Sequence, residues 1–175
     1  MDAKSLADRA TQKYADGEFV AAADLFSQAA QAYRNAQDEL NAAEMKNNES
    51  VALLKGGKAK EALQATDGTE AVFQQAGDLK RQGIAVANRA AALEGLKQLN
   101  EAVAEYNRAA DLFEQAGEGD MHSMVRKATA ELFLKRGYIT NSQMDILDSI
   151  RLPEKPTFAQ RILKFLMRIG LLRPD

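Results

Sequence analysis

Several residue types on which catalytic or metal chemistry depends are missing from this sequence. Its 175 residues include no cysteine, no tryptophan and a single histidine. These absences exclude a disulfide framework, a thiolate zinc site, a cysteine nucleophile and a multi-histidine metal cluster. No run approaches the roughly 18 apolar residues of a membrane span, and the first residues lack the basic start and apolar run of a secretory signal. We therefore expect a soluble, cytoplasmic protein, and the lack of cysteine fits a reducing compartment.

Proline is confined to one end of the chain. Pro153, Pro156 and Pro174 all lie in the last 23 residues, and the 152 residues before them contain none. That long segment is rich in alanine, leucine, glutamate, glutamine and lysine, all strong helix formers. Apolar residues make up 46%, charged residues 27%, and the net charge is −2, which excludes bulk disorder and a strongly basic nucleic-acid binder. The composition predicts an all-α protein without strands.

A repeat of 40 residues runs through this helical segment. Turn glycines, small residues, aromatic residues and acidic residues recur at that spacing, in the columns Gly17, Gly57 and Gly137; Ala22, Ala62 and Ala102; Ala10, Ser50, Ala90 and Ala130; Tyr33, Phe73 and Phe113; and Asp38, Asp78 and Glu118. Lys97 stands at the glycine position of the third repeat. Each repeat is predicted to be a pair of helices joined by a short turn, and stacked pairs create the continuous core that one pair cannot form alone.

The repeat predicts nine helices and two parts of the chain. The helices are expected at about residues 3–16, 18–37, 39–55, 58–76, 78–96, 99–116, 120–136, 140–151 and 157–172. Residues 1–152 would form the repeat domain, with repeats at about 3–38, 39–78, 79–118 and 119–151. Residues 153–175 would form a proline-bounded linker and a C-terminal amphipathic helix.

Local motifs indicate the type of repeat. Ala22-x3-Phe26 and Ala102-x3-Tyr106, together with the turn Gly17-Glu18-Phe19, resemble the tetratricopeptide repeat family. The chain departs from that pattern by having no tryptophan, no closing proline and Thr66 in the phenylalanine column. The resemblance implies a right-handed α-α superhelix of four helix pairs, a solenoid whose concave face is lined by the first helix of each pair and receives a peptide. The lengthened repeats resemble those of soluble NSF-attachment proteins, spindle-orientation adaptors and bacterial peptide-sensing regulators.

The resemblance also implies which side chains lie in the groove. The candidates for peptide contact are Glu44, Asn47, Asn48, Asn88, Lys127 and Glu131. Asn48 and Asn88 are one period apart, and an asparagine amide offers both a donor and an acceptor to an extended peptide backbone. The alternative is that these amides pair with a neighbouring helix or face water. Of the positions that form the two-carboxylate clamp of chaperone-tail binders, only Asn48 matches, which disfavours an acidic C-terminal tail as the ligand.

The sequence shows no catalytic, cofactor or metal site. His122 lacks an evident orienting partner and nucleophile, and Gly56-Gly57 lacks the downstream residues of a phosphate-binding loop. Acidic residues are interspersed with lysine, arginine and glutamine, as on solvated helix faces. We therefore expect a non-enzymatic scaffold that binds a peptide or helix of a partner protein, with no cofactor and no nucleic-acid partner.

The C-terminal segment predicts a separate amphipathic helix. Its apolar contact candidates are Phe158, Ile162, Phe165, Leu166 and Ile169. Residues 153–175 carry a net charge of +3, against −5 for residues 1–152. This helix could cap the last repeat, form a homodimer with a second copy, or lie on a membrane surface. The last two roles define the alternative function, a structural or membrane-peripheral adaptor that acts through this helix.

Overall fold

The computed structural model describes residues 2–136, with side chains as far as Phe133. Within that range all regular structure is α-helical, which confirms the predicted fold class there. The helices are α1 (Ala3–Ala15), α2 (Phe19–Asn35), α3 (Glu39–Lys55), α4 (Ala59–Ala65), α5 (Thr69–Gln75), α6 (Leu79–Gly95), α7 (Leu99–Gln115) and α8 (Gly119–Arg136). The helices predicted at 140–151 and 157–172 lie outside the described residues. Two compact units divide the chain, Met1–Val125 and Arg126–Asp175.

Aspartates cap the first helices α1, α3 and α6, and Asp2 accepts the backbone N–H of Ser5 at 2.8 Å. The Asp38 carboxylate accepts the backbone N–H of Asn41 at 3.1 Å, and the Asp78 carboxylate accepts that of Arg81 at 2.9 Å. The Asn41 side-chain amide, with its backbone N–H, lowers the pKa of Asp38. The pKa of Asp78 is lowered chiefly by the Arg81 backbone N–H. Each cap satisfies an otherwise unpaired N–H group and so defines where α3 and α6 begin.

The turns repeat the same backbone conformation every 40 residues. After the first helix of each pair, Gly17, Gly57 and Lys97 have φ values of 78°, 77° and 62°. After the second helix, Gln37, Gly77 and Gly117 have φ values of 60°, 67° and 72°. All six positions are left-handed, which glycine adopts without strain and other residues adopt at a cost. The period read from the side chains is therefore also present in the backbone.

Replacing Lys97 with glycine is expected to stabilise the fold. The substitution removes the left-handed strain, although glycine adds entropy to the unfolded chain, so we expect a net gain of about 0.5–1 kcal/mol in the free energy of unfolding. Urea denaturation followed by circular dichroism measures it. As the control, Gln115→Gly in the last turn of α7 should destabilise, because that residue is helical. A Lys97→Gly variant no more stable than the wild type would contradict the reading of this turn.

The predicted helix 58–76 is wrong as a single helix. It is broken into α4 and α5, because Gly68 adopts a left-handed conformation with φ of 77°. Two threonine hydroxyls bond backbone carbonyls at the break. The Thr66 hydroxyl donates to the Leu63 carbonyl at 2.7 Å, and the Thr69 hydroxyl donates to the Thr66 carbonyl at 2.8 Å. The dipeptide Asp67-Gly68 is a turn signal within the range predicted as one helix. In this repeat two short helices therefore stand where one second helix was predicted.

One buried hydroxyl compensates for the break. At the end of α4 the Thr66 N–H bonds to the Leu63 carbonyl instead of continuing the α-helical bond to Ala62. The Ser50 hydroxyl of α3 donates to the Ala62 carbonyl at 2.8 Å. Ser50 is the only serine in its column, and of the three repeats whose second helix the structure describes, its repeat is the one in which that helix is broken. The serine therefore replaces the backbone bond that the break removes.

Small residues allow the helices to pack closely. The alanines of the two small-residue columns in the first three repeats are fully buried, namely Ala10, Ala22, Ala62, Ala90 and Ala102. Two members of the aromatic column are buried as well, since Phe73 is 0% exposed and Phe113 is 2% exposed. Consecutive helices pack together from α1 to α4 and from α5 to α7, while α3 also packs against α5 and α6. The first helices of the second and third pairs, α3 and α6, are thus neighbours, and each carries a candidate asparagine.

Candidate protein-binding surface

The candidate surface lies along α3 and α6, and we call it the first-helix face. Its residues are all half-buried, which leaves part of each side chain accessible: Glu44, Asn48 and Val51 on α3, and Ile84, Asn88 and Ala91 on α6. The face combines two amides and one carboxylate with apolar side chains. A surface of this kind offers a partner both hydrogen bonds and apolar contact area.

Asn48 and Asn88 occupy equivalent positions on these packed helices. Both side chains are half-buried, and neither amide makes a hydrogen bond to any residue that the structure describes. Of the two interpretations left open by the sequence, pairing with a neighbouring helix is therefore not observed in residues 2–136. Each amide retains donors and an acceptor for water or for a ligand.

Asn47 lies beneath the first-helix face rather than on it. The residue is 4% exposed, and its Oδ1 atom has no hydrogen-bond partner among the described residues. An unpaired buried acceptor lowers stability, since it has lost its hydration without gaining a protein donor. The equivalent residues one period away are Ala7 and Ala87, so this position accommodates a small apolar side chain in its neighbours.

Two buried polar residues of α3 are expected to respond oppositely to alanine. Asn47→Ala removes the unpaired oxygen and should raise the free energy of unfolding by about 0.5–1 kcal/mol, because relief of the desolvation cost exceeds the packing lost. Ser50→Ala leaves the Ala62 carbonyl unpaired and should lower it by about 1–2 kcal/mol. Urea denaturation of both variants measures the difference. If Asn47→Ala were the more damaging substitution, Oδ1 would have a partner that this account lacks.

An arginine links the two helices of the face. The Arg81 guanidinium of α6 contacts the Asp78 carboxylate at 2.6 Å and the Glu44 carboxylate of α3 at 3.4 Å. It also lies over the buried ring of Phe73, 5.2 Å from the ring centroid. The hydrogen bond to Asp78 is the main reason that the pKa of Arg81 is raised. Because this contact joins α3, α5 and α6, it holds the two asparagine-bearing helices in a fixed relation.

The remaining candidate residues lie elsewhere in the chain. Lys127 and Glu131 are exposed side chains on the part of α8 that belongs to the second unit, and His122 is half-buried on the same helix. The tail candidates Phe158, Ile162, Phe165, Leu166 and Ile169 lie outside the described residues. The part of the chain that the structure describes contains no group of three histidine or acidic side chains able to hold a metal ion.

Comparison with known families shows which protein family the chain belongs to. The family description "Soluble NSF attachment protein, SNAP" matches residues 1–144, which is most of the chain. The chain belongs to the soluble NSF attachment protein family. A comparison with curated proteins gives no match. The family has an α-helical superhelical repeat fold, which agrees with the predicted fold class.

Membership of the soluble NSF attachment protein family also bears on function at a general level. The family consists of helical, non-catalytic adaptors that interact with other proteins. It is one of the three groups whose lengthened repeats resemble this sequence. Among the described residues of this family member, no helix is both long enough and apolar enough to cross a membrane.

Proposed function

We propose that this member of the soluble NSF attachment protein family is a non-enzymatic adaptor that binds a peptide or helix of a partner protein on its first-helix face. The proposal includes the tetratricopeptide-like arrangement in which first helices line a concave groove, and a cytoplasmic setting. The partners of the family are SNARE complexes, which makes such a complex the first partner to test. Glu44, Asn48 and Asn88 would supply the polar contacts, and Val51, Ile84 and Ala91 the apolar ones.

The observation that carries this proposal is the pair of unpaired amides. Asn48 and Asn88 are one period apart on helices that pack together, and both remain partly accessible. Side chains that repeat with the solenoid can pair with a ligand that runs along it. An extended segment would offer backbone groups to the amides, and a helix would offer polar side chains.

Rigidity of the supporting helices adds to the case. The Asp78 cap, the Arg81 contact with Glu44 and the buried Phe73 fix α6 against α3 and α5. A binding surface on fixed helices loses less conformational entropy on association than one on loops. This arrangement suits an adaptor that presents a preformed surface.

The test is a double substitution with a matched control. Asn48→Ala together with Asn88→Ala should weaken binding of a preassembled SNARE complex about tenfold, since two hydrogen bonds of about 0.5–1.5 kcal/mol are lost. The control is Asn35→Ala with Asn100→Ala, which removes two exposed amides from the second helices α2 and α7. Biolayer interferometry measures both, and circular dichroism verifies folding. Equal affinity of the two double variants would refute the role of the first-helix face.

A further inference from the structure

A pocket lies where the second pair of helices meets the third. Its volume is about 170 Å³. Its floor consists of the buried residues Thr66, which follows α4, Thr69 of α5, and Ala85 and Val86 of α6. Gly68, Ala71 and Arg89 form an exposed rim, and the half-buried Glu70 also lines the pocket. A buried floor with an exposed rim makes this a site open to a ligand from solution.

The repeat explains why the pocket exists. In the column of Thr66, the first and third repeats carry aromatic residues, Phe26 and Tyr106, which are only 5% and 7% exposed. In the column of Ala85, the neighbouring repeats carry Met45 and Val125, which are both buried. The junction of the second and third pairs therefore has a small residue in both columns, and the pocket lies there. An aromatic ring is what this position holds in the first and third repeats.

The size of the pocket suits a single aromatic ring. An apolar cavity of about 150 Å³ in a protein core is large enough to bind benzene. This pocket, at about 170 Å³, is slightly larger and presents apolar methyl groups from Ala71, Ala85 and Val86. The polar groups that also line it, two threonine hydroxyls and the Glu70 carboxylate, already bond within the chain. A ring can therefore pack on the methyl groups without displacing a bond that these groups make.

Arg89 supplies a cation at the rim. Its nearest ion-pair partners are Asp67 and Glu105, each 3.9 Å away, which is beyond hydrogen-bond distance. Its guanidinium is therefore held loosely enough to stack on a ring in the pocket. The same chain shows such a contact where Arg81 lies over Phe73.

We propose that this pocket receives an aromatic side chain, tyrosine or phenylalanine, from a partner protein. The inserted ring would take the place that Phe26 and Tyr106 occupy in the neighbouring repeats. The pocket is a different site from the one that Asn48 and Asn88 form. The proposal for the pocket therefore holds whether or not the first-helix face binds a partner. It would give the adaptor an anchor point for a single exposed aromatic residue.

The first experiment uses a small aromatic probe. Titration of the methyl-labelled full chain with p-cresol should shift the methyl resonances of Ala71, Ala85 and Val86, with a dissociation constant on the order of millimolar. N-acetyltyrosinamide should bind at the same place, and N-acetylleucinamide should bind at least several-fold more weakly. No shifts at these methyl groups, or equal binding of the leucine compound, would overturn the proposal.

Variants then test whether the pocket is the binding site. Thr66→Phe should fill the pocket with the chain's own ring and abolish p-cresol binding, while Thr66→Ser keeps the hydroxyl and the space and should bind normally. Should Thr66→Phe fail to fold, Ala71→Leu blocks the rim from an exposed position and should also abolish binding. Arg89→Gln should weaken binding about two- to fivefold through loss of the cation over the ring. Undiminished binding by a folded pocket-filling variant would overturn the proposal.

Discussion

Phe73→Ala is expected to lower the free energy of unfolding by about 3–5 kcal/mol, the range for truncating a buried aromatic side chain. Phe73 is 0% exposed and packs in one cluster with Ala43 and Ala85, with Leu40 and Val72 against it. Its ring also supports the Arg81 guanidinium. The substitution therefore removes apolar burial at the junction of α3, α5 and α6 and leaves a cavity there.

The effect should be concentrated in α5. This helix has seven residues, and its buried residues are Thr69 and Phe73. A helix so short is unstable by itself, so its tertiary contacts must hold it in place. Val72→Ala is the matched control on the same helix, and we expect it to cost about 1 kcal/mol because Val72 is only partly buried.

Urea denaturation measures the stability loss of these two variants, and amide hydrogen exchange locates it. Exchange of α5 should accelerate far more in Phe73→Ala than in Val72→Ala. Comparable stability of the two variants would contradict the role given to the phenylalanine. The same outcome would remove the basis for treating α5 as a separately anchored helix.

Gly83→Ala is expected to destabilise the protein by about 1–3 kcal/mol, although alanine is the better helix former by about 1 kcal/mol. A Cβ atom at Gly83 would lie 2.7 Å from Cε1 and 2.9 Å from Cδ1 of Phe113. That ring is 2% exposed and cannot move aside freely. Ala43, the equivalent residue of the preceding repeat, packs in one cluster with Phe73, so the closer approach is particular to α6 and α7.

The effect of Gly83→Ala should change sign in a variant that lacks the ring. In a Phe113→Leu variant the ring is gone, so adding Gly83→Ala should be neutral or stabilising because only the helix preference of alanine remains. Urea denaturation of the two single variants and the double variant completes the thermodynamic cycle. A loss that persists undiminished in the Phe113→Leu background would show that the ring contact is not the cause.

Much of the fold could be predicted from the sequence because the repeat provides internal comparisons. The boundaries of α3 and α6 follow from Asp38 and Asp78, two members of the acidic column whose carboxylates cap the two helices. The turns follow from Gly17 and Gly57, and Lys97 shows that the same turn forms without glycine. These features depend on residues close together in the chain, so local chemistry was sufficient.

The features that escaped prediction depend on one repeat departing from the others. Thr66 in the aromatic column was visible, but its consequence, a broken helix and a pocket, depended on its combination with Gly68 and Ala85.

The contact of Arg81 with Glu44 joins residues 37 positions apart, and no short-range pattern indicates it. Asn47 and Asn48 are adjacent in sequence, yet one is buried and the other half-buried, because successive side chains lie about 100° apart around an α-helix.

The central claim is that a partner protein contacts the first-helix face, and the absence of cysteine allows a direct test of it. Each introduced cysteine is the sole labelling site. An environment-sensitive fluorophore would be attached separately at Asn88→Cys on α6 and at Asn100→Cys on α7, and each labelled protein titrated with a preassembled SNARE complex. We predict that emission shifts for the label at position 88 and stays constant at position 100. A response at position 100 alone, or at neither position, would contradict the account.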